Sequence, residues 1–172
     1  MTQWIELQPM PTPRHDLQAV AVGSEIYAIS GAGYSTVDVV EVYDVETGGW
    51  RSGPPISGRR GWFGAALLDG AIYAIGGKRI RTKAEKQDGD NSHFAIRDSV
   101  ERLDLASGTW SAMPPLCRPR AGLLATVCRD RIYAIGGNTM DPADDNPYLD
   151  LVEVFDPALG RWERARPLPF GI

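Results

Sequence analysis

The chain has 172 residues, with 18 Lys or Arg against 22 Asp or Glu and a formal net charge of -4, a balance that excludes nucleic-acid binding driven by bulk charge. With 43% hydrophobic residues it can bury a core, so disorder is excluded as its main state. No apolar run reaches the roughly 18 residues that a membrane helix needs, and residues 1–10 have neither a basic start nor an apolar segment, so a soluble, cytoplasmic protein without a membrane partner is expected. Two cysteines, Cys117 and Cys128, make no disulfide framework. The 19 Gly and 13 Pro are spread along the chain, which implies frequent turns and many short strands.

Trp4 opens the first expected strand, near residues 3–7. From residue 14 the chain runs through one succession three times. An arginine comes first (Arg14, Arg60, Arg120), ten residues after Trp4, Trp50 and Trp110. Strand a follows as LQAVAV (17–22), FGAALL (63–68) or LLATVC (123–128), with Ala19, Ala65 and Ala125 in phase. A short turn, Gly23-Ser24, Asp69-Gly70 or Arg129-Asp130, leads into strand b. Strand b ends in two small residues: IYAISG (26–31), IYAIGG (72–77) and IYAIGG (132–137). A loop of six, twenty or twelve residues comes next (32–37, 78–97, 138–149), and length variation of this kind belongs at the surface. Strand c carries D-x-V-E-x-[Y/L/F]-D at Asp38 to Asp44, Asp98 to Asp104 and Asp150 to Asp156. A turn with Gly48, Gly108 or Gly160 then leads to strand d at Trp50, Trp110 or Trp162.

Through the diglycine after strand b, the aromatic in strand c and the Trp that opens strand d, the sequence resembles the kelch repeat of kelch β-propellers. The resemblance implies an all-β fold of three four-stranded antiparallel blades, about 14–53, 60–113 and 120–165, plus the extra N-terminal strand. Ser30-Gly31 in place of the first diglycine, and Leu103 in place of the aromatic, predict looser packing at those two sites. Propellers typically have four to eight blades, so three do not close a ring. Two closures fit: a piece of a longer propeller, or half of a six-bladed ring that forms as a homodimer. Either leaves apolar blade faces wet in a monomer and predicts self-association.

Antiparallel order puts the d-a and b-c connections on one face. The three arginines share it with the variable loops. Arginine presents a planar fork of donors to carboxylates, so a ring of Arg14, Arg60 and Arg120 is a ready acceptor for acidic groups; the same donors can instead bond loop carbonyls and close the d-a turn. Trp62, whose counterparts are Asp16 and Gly122, is expected at the channel mouth, as an interface anchor or as a lid over the next blade. Arg59 and His15 flank the ring.

Catalytic and metal chemistry finds little material. His15 and His93 stand in different repeats, so no multi-histidine metal site is expected. Asp88, Asp90 and Asn91, like Asp141, Asp144 and Asp145, lack a calcium-loop spacing and read as polar turns. Cys128 stands where Val22 and Leu68 do and is expected in the core, away from Cys117. The leading function is a non-enzymatic module that binds an acidic protein or peptide through the d-a and b-c face, without cofactor. The rival, also implied by resemblance, is a sugar-acting kelch enzyme such as a sialic-acid mutarotase or epimerase with an Arg-lined pocket.

Overall fold

The computed structural model describes residues 3–86, 93–140 and 146–172. Three four-stranded antiparallel sheets form. The first is β1 (Gln18–Val22), β2 (Glu25–Ile29), β3 (Val40–Asp44) and β4 (Gly49–Ser52). The second combines β5 (Gly64–Leu68) and β6 (Ala71–Ile75) with β9 (Val100–Asp104) and β10 (Thr109–Met113). Between β6 and β9 lies a separate hairpin of β7 (Lys78–Ile80) and β8 (Phe94–Ile96), within the segment expected as loop. The third is β11 (Leu124–Cys128), β12 (Arg131–Ile135), β13 (Val152–Asp156) and β14 (Arg161–Arg164). Among the described residues no helix is long and apolar enough to cross a membrane.

Register makes the blades superimposable. Val20 faces Tyr27, Ala66 faces Tyr73 and Thr126 faces Tyr133. One face of the first sheet, with Val20, Tyr27, Ile29, Val40 and Val42, packs on Phe63, Ile72, Ala74 and Leu103 of the second. The second sheet's other face, with Ala66, Leu68, Tyr73, Ile75 and Val100, packs on Leu123, Ile132, Ala134 and Phe155 of the third. Strand b of the second blade, Ala71–Ile75, is buried and apolar throughout because neighbours cover both of its faces.

Each d-strand Trp ties its blade to the linker before it. Trp50, Trp110 and Trp162 donate Nε1–H to the carbonyls of Gln8, Pro54 and Pro114 at 2.9–3.0 Å. Those acceptors stand four residues after the preceding Trp. The diglycine has an equally specific cause. Gly31, Gly77 and Gly137 have φ of 111°, 99° and 102°, and an added Cβ at Gly77 would lie 2.7 Å from Phe63 Cβ and 2.8 Å from the Gly61 carbonyl. Only glycine fits such a backbone. The N–H groups of these residues donate to the carbonyls of Arg60, Arg120 and Ile172.

Several expectations change. Residues 3–7 form no strand: they are exposed, Trp4 almost wholly, because this d segment has no strand c beside it to pair with. Packing is not loose at the two departures. Leu103 is buried in the core between the first two sheets. Ser30 adopts φ of 52°; its hydroxyl lies 2.7 Å from both the Val37 and Arg60 carbonyl oxygens, either of which can take its one hydrogen, and accepts from Arg60 N–H. Cys128 is exposed, not core, since among the described residues no sheet packs on the outer face of the third; Cys117 is also exposed and neither is in a disulfide. Tyr133 is accordingly less buried than Tyr27 and Tyr73. The acidic triples Asp88, Asp90, Asn91 and Asp141, Asp144, Asp145 fall outside the described residues.

Candidate functional site

The three in-phase arginines lie at the same depth in each blade, and all are buried. The guanidinium of Arg14 pairs with Glu41 at 2.5 Å and that of Arg120 with Glu153 at 2.5 Å; Arg60 pairs likewise with Glu101. All three arginine side chains have no exposed surface. Their other N–H groups donate to carbonyls of their own blade: Thr12, Ala28 and Ser30 for Arg14, Gly58, Ala74, Gly76 and Ser99 for Arg60, and Ala134 for Arg120. Burial pulls the Arg60 pKa down to about 10; Glu101 opposes that effect and the Arg97 charge adds to it. Arg60 remains cationic at neutral pH. Most of the donors that could meet an external acid are therefore taken, by the Glu of each D-x-V-E segment and by carbonyls; Arg120 Nε is buried without an acceptor.

Two residues beyond each arginine the backbone turns left-handed, at Asp16, Trp62 and Gly122 with φ of 56°, 52° and 67°. Trp62 N–H donates to the Asp16 carbonyl and Gly122 N–H to the Trp62 carbonyl. A backbone ladder thus links the blades at this end. It forces Trp62, a bulky residue in a conformation such residues rarely adopt, to the rim, where it is 42% exposed.

Beside Trp62 stands Lys78, the residue after the second diglycine. Backbone bonds between Lys78 and Gly61 bring it there. Its ammonium lies 3.4 Å from the centre of a Trp62 ring and 4.3 Å from that of Phe94, a double cation–π contact. Burial lowers the Lys78 pKa, and the Asp16 charge opposes that shift. A cavity of about 150 Å³ adjoins it, lined by His15, Asp16, Ala32, Thr36, Ile80 and Phe94 among others. A wider concavity of about 450 Å³ shares His15 and Gly33 with it and extends to Pro13 and Tyr34. His15 Nδ1 lies 3.3 Å from Asp16 Oδ2, and its side chain is largely exposed. Arg59 pairs with Asp38 at 3.3 Å, with both side chains open to solvent.

A family model described as Kelch motif matches residues 13–57 and 119–169, more than half of the chain. The chain belongs to the kelch-repeat family. This kelch chain is 30% identical over 136 residues to Kelch domain-containing protein 8B of Bos taurus, covering 77% of this chain and 36% of that relative. It is 28% identical over 170 residues to human Kelch-like protein 34, covering 97% of this chain and 24% of that relative. The chain thus spans about a third or less of the length of these curated relatives. In fold it is similar to the solved structure of YjhT, with a TM-score of 0.73 at 18% identity, covering 96% of this chain and 55% of that one.

Of the residues singled out by sequence, the structure brings His15 and Trp62 to one rim, leaves Arg59 exposed nearby, and withdraws Arg14, Arg60 and Arg120 into the blades. Lys78, Phe94 and Tyr34 were not anticipated. Lys78 occupies the position of Ala32 and Asn138 in the other repeats, and that break in the pattern is the signal that could have found it.

The burial of the arginines makes a direct prediction. Arg60→Glu places two carboxylates in one dry site, at a cost on the order of the 3–5 kcal/mol known for breaking a buried pair, or more. Urea unfolding should show a loss of that size or of the cooperative transition itself. A variant as stable as the parent would contradict the internal role.

Proposed function

We propose that this chain is a non-enzymatic interaction module that binds a protein or peptide partner through the d-a and b-c loop face. The observation that carries the reading is the pair of adjoining concavities sharing His15 and Gly33, bordered by exposed Tyr34 on one side and the Trp62–Lys78–Phe94 stack on the other. Exposed aromatics beside a concavity are the usual anchors of recognition. Strained backbone that holds one of them at the rim fits the same purpose. The partner's contact is acidic in this reading, because Lys78 and Arg59 remain as the cations of the rim. The sugar-acting alternative drew on arginine donors open to a pocket, and these three side chains have no exposed surface and are paired with Glu41, Glu101 and Glu153.

Self-association is the second part of the proposal. The outer face of the third sheet exposes Leu124, at 62%, together with Thr126 and Cys128, a surface of the kind that neighbours cover in the other two blades.

Peptides selected from a random library on the immobilised chain should lose binding by about tenfold or more when Trp62 is replaced by Ala; undiminished binding would place recognition elsewhere. Light scattering should return a mass above that of the monomer, and a stable monomer at high concentration would overturn association through open faces.

A further inference from the structure

Lys78 is more than nine-tenths buried as a residue, while its ammonium still reaches solvent and, among the described residues, forms no ion pair with a carboxylate. Three N–H donors have two aromatic faces for company, and aromatic faces are weak acceptors beside oxygen. Among the described residues, no side chain or carbonyl accepts a hydrogen bond from Nζ. Arg14, Arg60 and Arg120, whose side chains have no exposed surface, each have a carboxylate. The carboxylate nearest in charge terms is Asp16, which stands against His15. What the site lacks is an oxygen acceptor, and what adjoins it is an opening.

The opening fits one kind of group. At about 150 Å³ it is smaller than the roughly 300–1,000 Å³ of sites for whole small molecules, so it takes a side chain. Its walls at Ala32, Gly33, Gly61, Ile80 and Phe94 are apolar or side-chain-free and suit methylenes; Lys78 and Thr36 stand in the same lining, as does Asp16, whose carboxylate lies 3.3 Å from His15 Nδ1.

We propose that this cavity is a carboxylate subsite, taking the acidic side chain of a peptide partner with its methylenes against Ile80 and Phe94 and its carboxylate on Lys78 Nζ. The inference rests on the interaction face proposed above and names the group recognised there. Trp62 and Phe94 hold the ammonium in place, so the donors are oriented before the partner arrives. Charge-assisted bonds of this kind are among the stronger ones.

The chain's three lysines, Lys78, Lys83 and Lys86, all lie in this segment, and Lys83 is exposed. Lysine-labelled protein titrated with N-acetylglutamate methylamide should therefore show a saturable shift of the Lys78 side-chain NMR signals, about fivefold or more above that of Lys83. The neutral isostere N-acetylglutamine methylamide should leave them in place. Equal movement of Lys78 and Lys83, equal response to both probes, or no response up to about 10 mM, well beyond the millimolar weak end of specific binding, would overturn the subsite. Acidic peptides selected on the chain should also weaken by about tenfold on Lys78→Gln and recover in part on Lys78→Arg. A silent Lys78 with peptide binding still dependent on Trp62 would refute the subsite and keep the face; binding that ignores Trp62 would refute the face itself.

Discussion

A cation buried without water must be given a counter-charge and acceptors, and that requirement organises each blade. Arg14, Arg60 and Arg120 enter at the end of a d-a linker, and each meets the glutamate of its own strand c. Glu101 also accepts from Gly58 N–H, Glu153 from Cys117 N–H and Glu41 from the Thr12 hydroxyl, so one carboxylate holds both the guanidinium and the linker that carries it. With the linker held, the carbonyls of Arg60 and Arg120 stand where the second glycines of the preceding blades can reach them. Those glycines must have no Cβ, since the His15 carbonyl and Phe63 of their own blades leave no room, and at Gly76 the Arg120 carbonyl of the next blade stands 2.7 Å from where a Cβ would be. The ion pair, the diglycine and the spacing between blades form one constraint. Ile172 supplies the carbonyl to Gly137, so the backbone link persists at a position without the arginine.

The rim inherits its geometry from the same element. Fixing each arginine fixes the left-handed residue two positions on, and the ladder from Asp16 to Trp62 to Gly122 follows. Gly122 satisfies that backbone at no cost and Asp16 at a small one; Trp62 carries a large side chain into the same conformation and turns it outward. Lys78 then packs beneath the indole because its backbone pairs with Gly61. Rigid blades thus present a few irregular side chains, and recognition properties belong to those side chains and not to the fold.

Much of this was legible in the sequence, because repetition at constant offsets is hard to produce by chance. Tryptophan, diglycine and D-x-V-E segments in phase identify strands, turns and the shared face, and the register agrees residue by residue. The arginines were legible as a set, and their bonds to loop carbonyls were one of two open readings; their pairing with an internal carboxylate was not legible, since the donors that bind a foreign carboxylate are the same ones that bind an internal one. The deciding residue, the Glu of strand c, stood inside a motif that reads as strand pattern. Cys128 was misplaced for a related reason: its equivalents Val22 and Leu68 owe their cover to a neighbouring blade, and the third sheet has none there. The Lys78–Phe94 contact was out of reach because it depends on the β7–β8 pairing across a long segment with no repeat counterpart.

The most direct test of the internal cross-tie is a double-mutant cycle on Arg120 and Glu153, the pair with the least exposed carboxylate. Arg120→Met and Glu153→Leu, alone and together, would be compared by urea unfolding. Each single change leaves the other charge buried and should cost about 3–5 kcal/mol. The double variant should cost well under the sum, with a coupling on the order of 2 kcal/mol or more. Single costs below about 1 kcal/mol that add within roughly 0.5 kcal/mol would mean that the two groups do not hold each other, and the account built on them would fail.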